Sequence, residues 1–270
     1  ETGQCIEQPF EETVHPDGRF KEKVKIAGYP VQELSGIIFA YMGPAPAPEL
    51  PQWPHLTEGN VIRDLAISEL PCNWLQCQEN SLDAVHSEWL HGIYSKYLKT
   101  GGAGEQNRPK GQGTTLKIGF DIFDYGIIKR RLQEGFPEDG EDWTVGHPIM
   151  FPNILYVGNE FRTTTQWRVP IDDEHTLHIS LYIFRPAPGI TAPEQPVAAY
   201  RHVPLYEEDG SFNVGYTFNQ DYMAWITQGT IAERDKEKLG ESDRGIIMFR
   251  NLLKQQLSIV ADGGDPMNTF

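Results

Sequence analysis

The most regular pattern in the chain lies at residues 176–184, where Leu177, Ile179, Leu181 and Ile183 alternate with His178, Ser180 and Tyr182. A period of two puts one set on an apolar face of a strand and the other on a mixed face. Residues 114–120, 126–132, 149–157 and 160–169 read as further strands of an antiparallel sheet. Residues 73–91 follow a different rhythm, because Trp74, Leu75, Leu82, Val85, Trp89 and Leu90 return to one broad helical face. A loop over 99–113 follows. Residues 219–228 open a helical C-terminal third. There Ser242-Asp243 caps a long helix carrying Ile246, Phe249, Leu253, Leu257 and Val260, and Gly263-Gly264 ends it. A sheet with a face to cover, and a long helix to cover it, predict an α+β domain over residues 58–270, with the sheet gripping the C-terminal helix.

The first part of the chain has another character. Residues 21–26 and 36–41 are strand-like runs set off by Pro16-Asp17-Gly18 and Gly28-Tyr29-Pro30. A piece of this size, residues 1–43, buries too little to form a core alone and reads as the tail of a β-domain. Pro44, Pro46, Pro48, Pro51 and Pro54 make residues 44–57 a stiff extended linker that supports neither helix nor central strand.

Composition narrows the function classes. The 23 basic and 38 acidic residues leave a net charge of −15, which repels nucleic acid and anionic membrane surfaces. No apolar run is long enough to span a bilayer and no basic-apolar leader opens the chain, so a cytoplasmic protein is expected. Three cysteines, Cys5, Cys72 and Cys77, are too few for a disulfide framework and read as thiols in a reducing compartment, Cys72 and Cys77 being ordinary buried ones.

The densest polar chemistry runs from Gln78 to Gly92 and includes Asn80, Asp83, His86 and His91. Imidazole is a common transition-metal ligand. Histidines four apart on a helix sit about 40° apart, whereas five apart they diverge by about 140°. His86 and His91 therefore share an ion only if the helix ends, as Gly92 suggests, or bulges in π fashion between them. Otherwise one is a hydrogen-bonded core histidine and the other is exposed. The absence of His-Glu-x-x-His disfavours a zinc protease.

The run Asn80-x-x-Asp83-x-x-His86-x-x-x-x-His91 resembles the iron-binding signature of the catalytic α subunits of Rieske non-heme iron oxygenases. Three further segments are similar to the phthalate-dioxygenase-like branch. They are Trp167-Arg168-Val169-Pro170-Ile171-Asp172-Asp173-x-His175-Thr176, then Asn219-Gln220-Asp221-Tyr222-Met223-Ala224-Trp225, and Leu239-Gly240-x-Ser242-Asp243-x-Gly245-Ile246. The resemblance implies a helix-grip, Bet v 1-like catalytic domain with a mononuclear Fe(II) held by His86, His91 and Asp221. Asp221 is expected to open its helix. Asp83 matches the electron bridge toward a neighbouring subunit's cluster, and Asn80 matches a position just behind the ligands. The Rieske [2Fe–2S] cluster requires Cys-x-His and Cys-x-x-His, and neither pair occurs. Residues 1–43 are then the remnant of a Rieske domain, and the cluster is expected in a complete protein longer by roughly a hundred residues.

The implied activity is oxygenation of a small aromatic substrate with O2 and electrons from an NAD(P)H-dependent reductase, with or without a ferredoxin, in a homotrimer or hexamer. Dihydroxylation, monohydroxylation and demethylation share the motif. Arg130, Arg162 and Arg168 lie in predicted strands and are candidates to meet a substrate carboxylate, although strand arginines usually face water. His178 is expected to be hydrogen-bonded or solvated rather than part of a pocket. Two rivals are a non-catalytic helix-grip ligand-binding domain and a zinc hydrolase.

Overall fold

The computed structural model describes residues 2–101 and 113–270. Most of the predicted 99–113 loop lies outside the described residues. The chain divides into two compact units. One holds the residues up to Gly59 together with Glu194–Ala198 and Thr269–Phe270. Its regular structure includes a short helix, Pro9–Val14, and a hairpin of β1 (Val31–Leu34) and β2 (Ile37–Ala40). The strand expected at 21–26 is instead a 3-10 turn at Arg19–Lys23, with Lys25 making an isolated bridge to Gln4. Its charges face solvent, so no buried face fixes it as a strand. A single helical turn, Pro54–Thr57, interrupts the proline-rich stretch, with Pro54 at a first-turn position where its missing N–H costs nothing.

The second unit, Asn60–Pro193 with Ala199–Asn268, is built on an eight-stranded sheet ordered β10-β3-β9-β8-β7-β6-β5-β4. The strands are β3 (Ile62–Leu70), β4 (Thr115–Phe123), β5 (Gly126–Gln133), β6 (His147–Met150), β7 (Ile154–Gly158), β8 (Arg162–Pro170), β9 (Thr176–Phe184) and β10 (Ala199–His202). The sheet is mixed rather than wholly antiparallel. After β9 the chain steps across β3 and lays β10 parallel along its outer edge. The run expected as one strand at 149–157 is two, β6 and β7, joined through a turn at Phe151-Pro152.

Pairing fixes which side chains share the inner face. Ile127 pairs with Ile149, and Lys129 with His147. Ile149 faces Leu155, Leu155 faces Gln166, and Arg168 faces His178. One end of this face is apolar: Phe120, Ile127, Ile149 and Leu155 pack against Phe249 and Leu252 of the C-terminal helix Arg244–Ala261. Gly245 lets that helix settle, because a Cβ there would overlap the Phe120 ring. The other end carries Lys129, Arg131, His147, Gln166 and Arg168, and the candidate site lies over it. No helix among the described residues is long and apolar enough to cross a membrane.

Candidate metal centre

The predicted helix at 73–91 is not continuous. Asn73 caps a first segment, Trp74–Asn80, its Oδ1 accepting from the Leu75 N–H at 3.0 Å. The chain then tightens around Asp83, whose Oδ1 accepts from the backbone N–H groups of Val85 (2.8 Å) and His86 (3.1 Å). This Asx-type turn competes with helix and breaks it. A π-helical stretch, Ser87–Tyr94, follows with His86 at its N-cap. Gly92 does not end it, and the chain continues as helix through Ser95–Thr100. Hydrogen bonds from i to i+5 bring residues five apart over one another. The two rings accordingly sit edge to face, with centroids 5.2 Å apart.

Asp221 comes from the helix Thr217–Ile226, where it lies inside the second turn rather than opening the helix, so it is no cap. Its Oδ1 is 3.2 Å from His91 Nε2 and 3.9 Å from His86 Nε2. One ligand atom from each residue lies within 4.8 Å of the other two, a group able to hold a metal ion. Each imidazole is tethered on its far side. His86 Nδ1 lies 3.0 Å from the Asp83 carbonyl oxygen, and His91 Nδ1 lies 3.1 Å from Gln220 Oε1. Gln220 is oriented in turn by donating from Nε2 to the Val214 carbonyl at 3.1 Å. A carbonyl oxygen only accepts, so both Nδ1 atoms carry hydrogen, which leaves each Nε2, on the side of Asp221, as the nitrogen able to ligate a metal. That donor set, two imidazole nitrogens and a carboxylate with outer hydrogen bonds in place, fits a divalent transition metal.

Asn80 Nδ2 approaches Asp221 Oδ1 at 3.5 Å. The Asp83 carboxylate, the side chain 28% exposed, lies 3.7 Å from His86 Nδ1, outside hydrogen-bond range. Burial pushes the His86 pKa down to about 4, against the pull of Asp221, and keeps its ring neutral. For His91, burial pulls downward, but the hydrogen bond and charge of Asp221 outweigh it and its pKa rises.

The three groups open onto a cavity of about 250 Å³. Sequence reasoning missed several of its basic neighbours. Arg130, a predicted candidate, points to the opposite face and pairs with Asp121 at 2.6 Å. Lys129 and Arg131, one step either side, line the cavity instead. Alternation along the strand puts these two on one face, but it does not say which face is inside. Lys129 is buried, which pushes its pKa down to about 7, and it donates to the Asp83 carbonyl at 3.1 Å. Arg131 donates to Ser87 Oγ at 2.7 Å and pairs with Asp142 at 3.5 Å. His147 Nε2 lies 3.0 Å from Asp142 Oδ1. Arg162 and Arg168 also line the cavity, and Arg168 is buried rather than facing water. His178 is fully buried beside the cavity wall, hydrogen-bonded through Nδ1 to the Tyr222 hydroxyl at 2.8 Å. Cys72 and Cys77 are buried free thiols with sulfurs 3.6 Å apart.

Comparison with known proteins adds a family context. Residues 207–270 match the family model described as "LigXa C-terminal domain like". The chain is 41% identical over 266 residues to the 5,5'-dehydrodivanillate O-demethylase oxygenase subunit of Sphingobium sp. (strain NBRC 103272 / SYK-6), covering 98% of this chain and 60% of that protein. It is 30% identical over 286 residues to the phenoxybenzoate dioxygenase subunit alpha of Ectopseudomonas oleovorans, covering 98% and 64%. It thus spans about three-fifths of the length of these relatives. Among solved structures, Pseudomonas putida CBB5 NdmA aligns with a TM-score of 0.60 at 14% identity, covering 97% of this chain and 69% of that one. That likeness shows a shared fold.

Proposed function

We propose that the chain, which is similar over 98% of its length to two oxygenase subunits, belongs with the Rieske non-heme iron oxygenases, holds a mononuclear Fe(II) on His86, His91 and Asp221 and oxygenates a small aromatic substrate. The observation that carries this reading is the convergence of two imidazole Nε2 atoms and one carboxylate at the wall of a cavity. Iron on such a donor set keeps positions open for dioxygen and supplies the oxygen chemistry when electrons arrive. The chain's own residues do the rest. The Asp83 carbonyl and Gln220 Oε1 stop the two rings from swinging away, and Asn80 steadies Asp221. Asp83, partly exposed and against the His86 ring, is the electron bridge of this proposal, facing a [2Fe–2S] cluster on a neighbouring subunit.

In the whole protein, residues 1–43 are then the end of the cluster domain, 44–57 the linker and 58–270 the catalytic domain. Electrons come from an NAD(P)H-dependent reductase, directly or through a ferredoxin, to a homotrimer or hexamer in the cytoplasm. The name of the relative at 41% identity favours demethylation over ring dihydroxylation. Anaerobic loading tests the reading: the chain should take up roughly one Fe(II), as a single three-donor site dictates. His86→Ala, His91→Ala and Asp221→Ala should each lose the iron while keeping their fold by circular dichroism. A folded wild-type chain that takes up none is the non-catalytic binding domain instead, and tight Zn(II) with hydrolysis independent of O2 returns the zinc hydrolase.

A further inference from the structure

Asn73 is the N-cap of the helix Trp74–Asn80, so Cys72 stands at the position just before the cap and Cys77 at the fourth residue of the helix. These two positions touch across a helix start. A pair of apolar side chains there packs as a hydrophobic staple and fixes the angle at which the chain enters the helix. Here both are cysteine. Their sulfurs lie 3.6 Å apart and both residues are fully buried, packed with Leu70, Tyr222 and Trp225. The backbone beneath them is pinned on two sides. The Cys72 carbonyl accepts from the Thr176 hydroxyl at 2.7 Å, and the Asn73 N–H donates to the Thr230 carbonyl at 2.8 Å. Any apolar pair makes a staple, but only two thiols can make it covalent.

The two thiols are not equivalent. The Cys77 S–H donates toward the Cys72 sulfur, which favours the Cys72 thiolate and lowers its pKa, whereas burial pushes Cys77 up. An attacking thiolate beside a thiol that resolves the product is the asymmetry a redox pair needs. A side chain of the cavity lining also reaches the pair, because the Arg168 guanidinium is near enough to pull on the Cys77 thiol. A disulfide requires sulfurs about 2.05 Å apart, a further closure of about 1.5 Å, which two short side chains reach by turning about χ1.

We propose that Cys72 and Cys77 form a modification site, at which hydrogen peroxide closes a reversible disulfide that locks the entry of the helix leading to Asn80. The Cys72 thiolate attacks one peroxide oxygen, the O–O bond breaks, and the second oxygen leaves as hydroxide and takes up a proton to become water. The Cys77 thiol then attacks the sulfur of the sulfenic acid so formed. The S–S bond forms, the S–O bond breaks, and a second water leaves with the Cys77 proton. Two thiols and one peroxide become one disulfide and two waters, the sulfurs giving up the two electrons that the peroxide oxygens gain. The step uses no metal, so it stands or falls separately from the oxygenase reading.

A chain carrying Cys5→Ser isolates the pair, since Cys5 is the third of the three cysteines. Treated with hydrogen peroxide while folded, it should lose the mass of two hydrogen atoms and show no thiol when denatured afterwards. Dithiothreitol should restore both thiols. The urea midpoint should rise on oxidation and return on reduction, because the closed ring constrains the unfolded chain. In Cys77→Ala the reaction should stop at a Cys72 sulfenic acid that dimedone traps, and in Cys72→Ala the Cys77 thiol should survive the same exposure. Thiols that resist peroxide in the folded chain and react only in urea overturn the proposal, since they are then inert staple side chains. A Cys72→Ala chain that reacts as fast as the intact pair overturns the order of attack, and a disulfide that lowers the midpoint overturns the lock.

Discussion

Replacing Arg168 by methionine should make the ligand-free chain more stable while removing its grip on aromatic carboxylates. Burial pulls the guanidinium pKa from its ordinary 12.5 to about 10. One pKa unit is about 1.4 kcal/mol, so the buried cation is disfavoured by about 3 kcal/mol relative to water. Methionine is close to arginine in volume although two atoms shorter, carries no charge and is flexible enough to fill most of the space left. Two losses oppose the gain. Gln166 Oε1 loses a donor, which costs about 1 kcal/mol. The Trp225 ring loses a guanidinium 5.7 Å from its centroid, about 0.5–1 kcal/mol. The balance is a stabilisation of about 1–2 kcal/mol, read as a higher urea midpoint at unchanged slope. A structural arginine predicts the opposite sign. If Arg168→Met lowers the midpoint by the equivalent of about 1 kcal/mol or more, or binds benzoate as well as the wild type, the reasoning fails.

Three more outcomes follow from the packing and the charges. Glu79 is buried and accepts from Arg234 Nη1 (2.6 Å) and Arg250 Nε (2.6 Å), so Glu79→Ala leaves both guanidiniums to Glu237 alone and should cost about 1–2 kcal/mol in thermal melts; a near-silent variant would show that Glu237 and solvent already satisfy the pair. Gly245→Ala should lose about 1–3 kcal/mol through overlap with the Phe120 ring despite the better helix propensity of alanine, and Phe120→Leu in the same chain should recover part of it, which a double-mutant cycle reads directly. Asp142 is held down to about 2, first by the hydrogen bond from His147 and then by Arg131. Because its folded pKa is depressed, its contribution is present above the ordinary 3.8 and vanishes as pH falls from there toward 2. With the side chain 45% exposed, screening reduces the effect to about 1 kcal/mol, so Asp142→Asn should be less stable than wild type at pH 5 and indistinguishable from it near pH 2.

What the chain reveals before folding depends on how one-sided each element is. The run at 176–184 matches β9 at both ends because its two faces differ sharply in polarity. The C-terminal helix begins at Arg244, directly after the Ser242-Asp243 cap. Strand β3 escaped notice because Arg63, Asp64, Ser68 and Glu69 break its alternation, and β10 because all four of its residues are exposed. At the site, His86, His91 and Asp221 were legible only as a resemblance. Helical geometry at 3.6 residues per turn sets the two histidines apart, and the π turn that reunites them follows from a local contest between the Asp83 carboxylate and the helix backbone. Lys129 and Arg131 escaped for a related reason. Charged residues in strands ordinarily face water, and a period of two names the faces without saying which one a later helix will cover.

The metal centre and Arg168 share one charge, and that ties them energetically. At neutral pH the Cys77 thiol is kept protonated by burial, so Asp221 is the charged group that supports the Arg168 guanidinium. A divalent cation on His86, His91 and Asp221 would satisfy that carboxylate and withdraw its support. The pocket would then be more positive, and an incoming carboxylate would gain more from Arg168 than it does in the metal-free chain. Linkage requires the reverse effect to be equal: an aromatic acid in the cavity must tighten Fe(II) by the same factor by which Fe(II) tightens the acid. Couplings of this kind run on the order of 1–3 kcal/mol, or about 5–150-fold. Titrating benzoate into metal-free and Fe(II)-loaded chain under anaerobic conditions measures one side, and Fe(II) uptake with and without benzoate measures the other. In Arg168→Met the coupling should collapse while iron still binds. Benzoate that binds both forms equally would mean that Asp221 and Arg168 do not feel one another, and the single charge assigned to both sites would have to be divided.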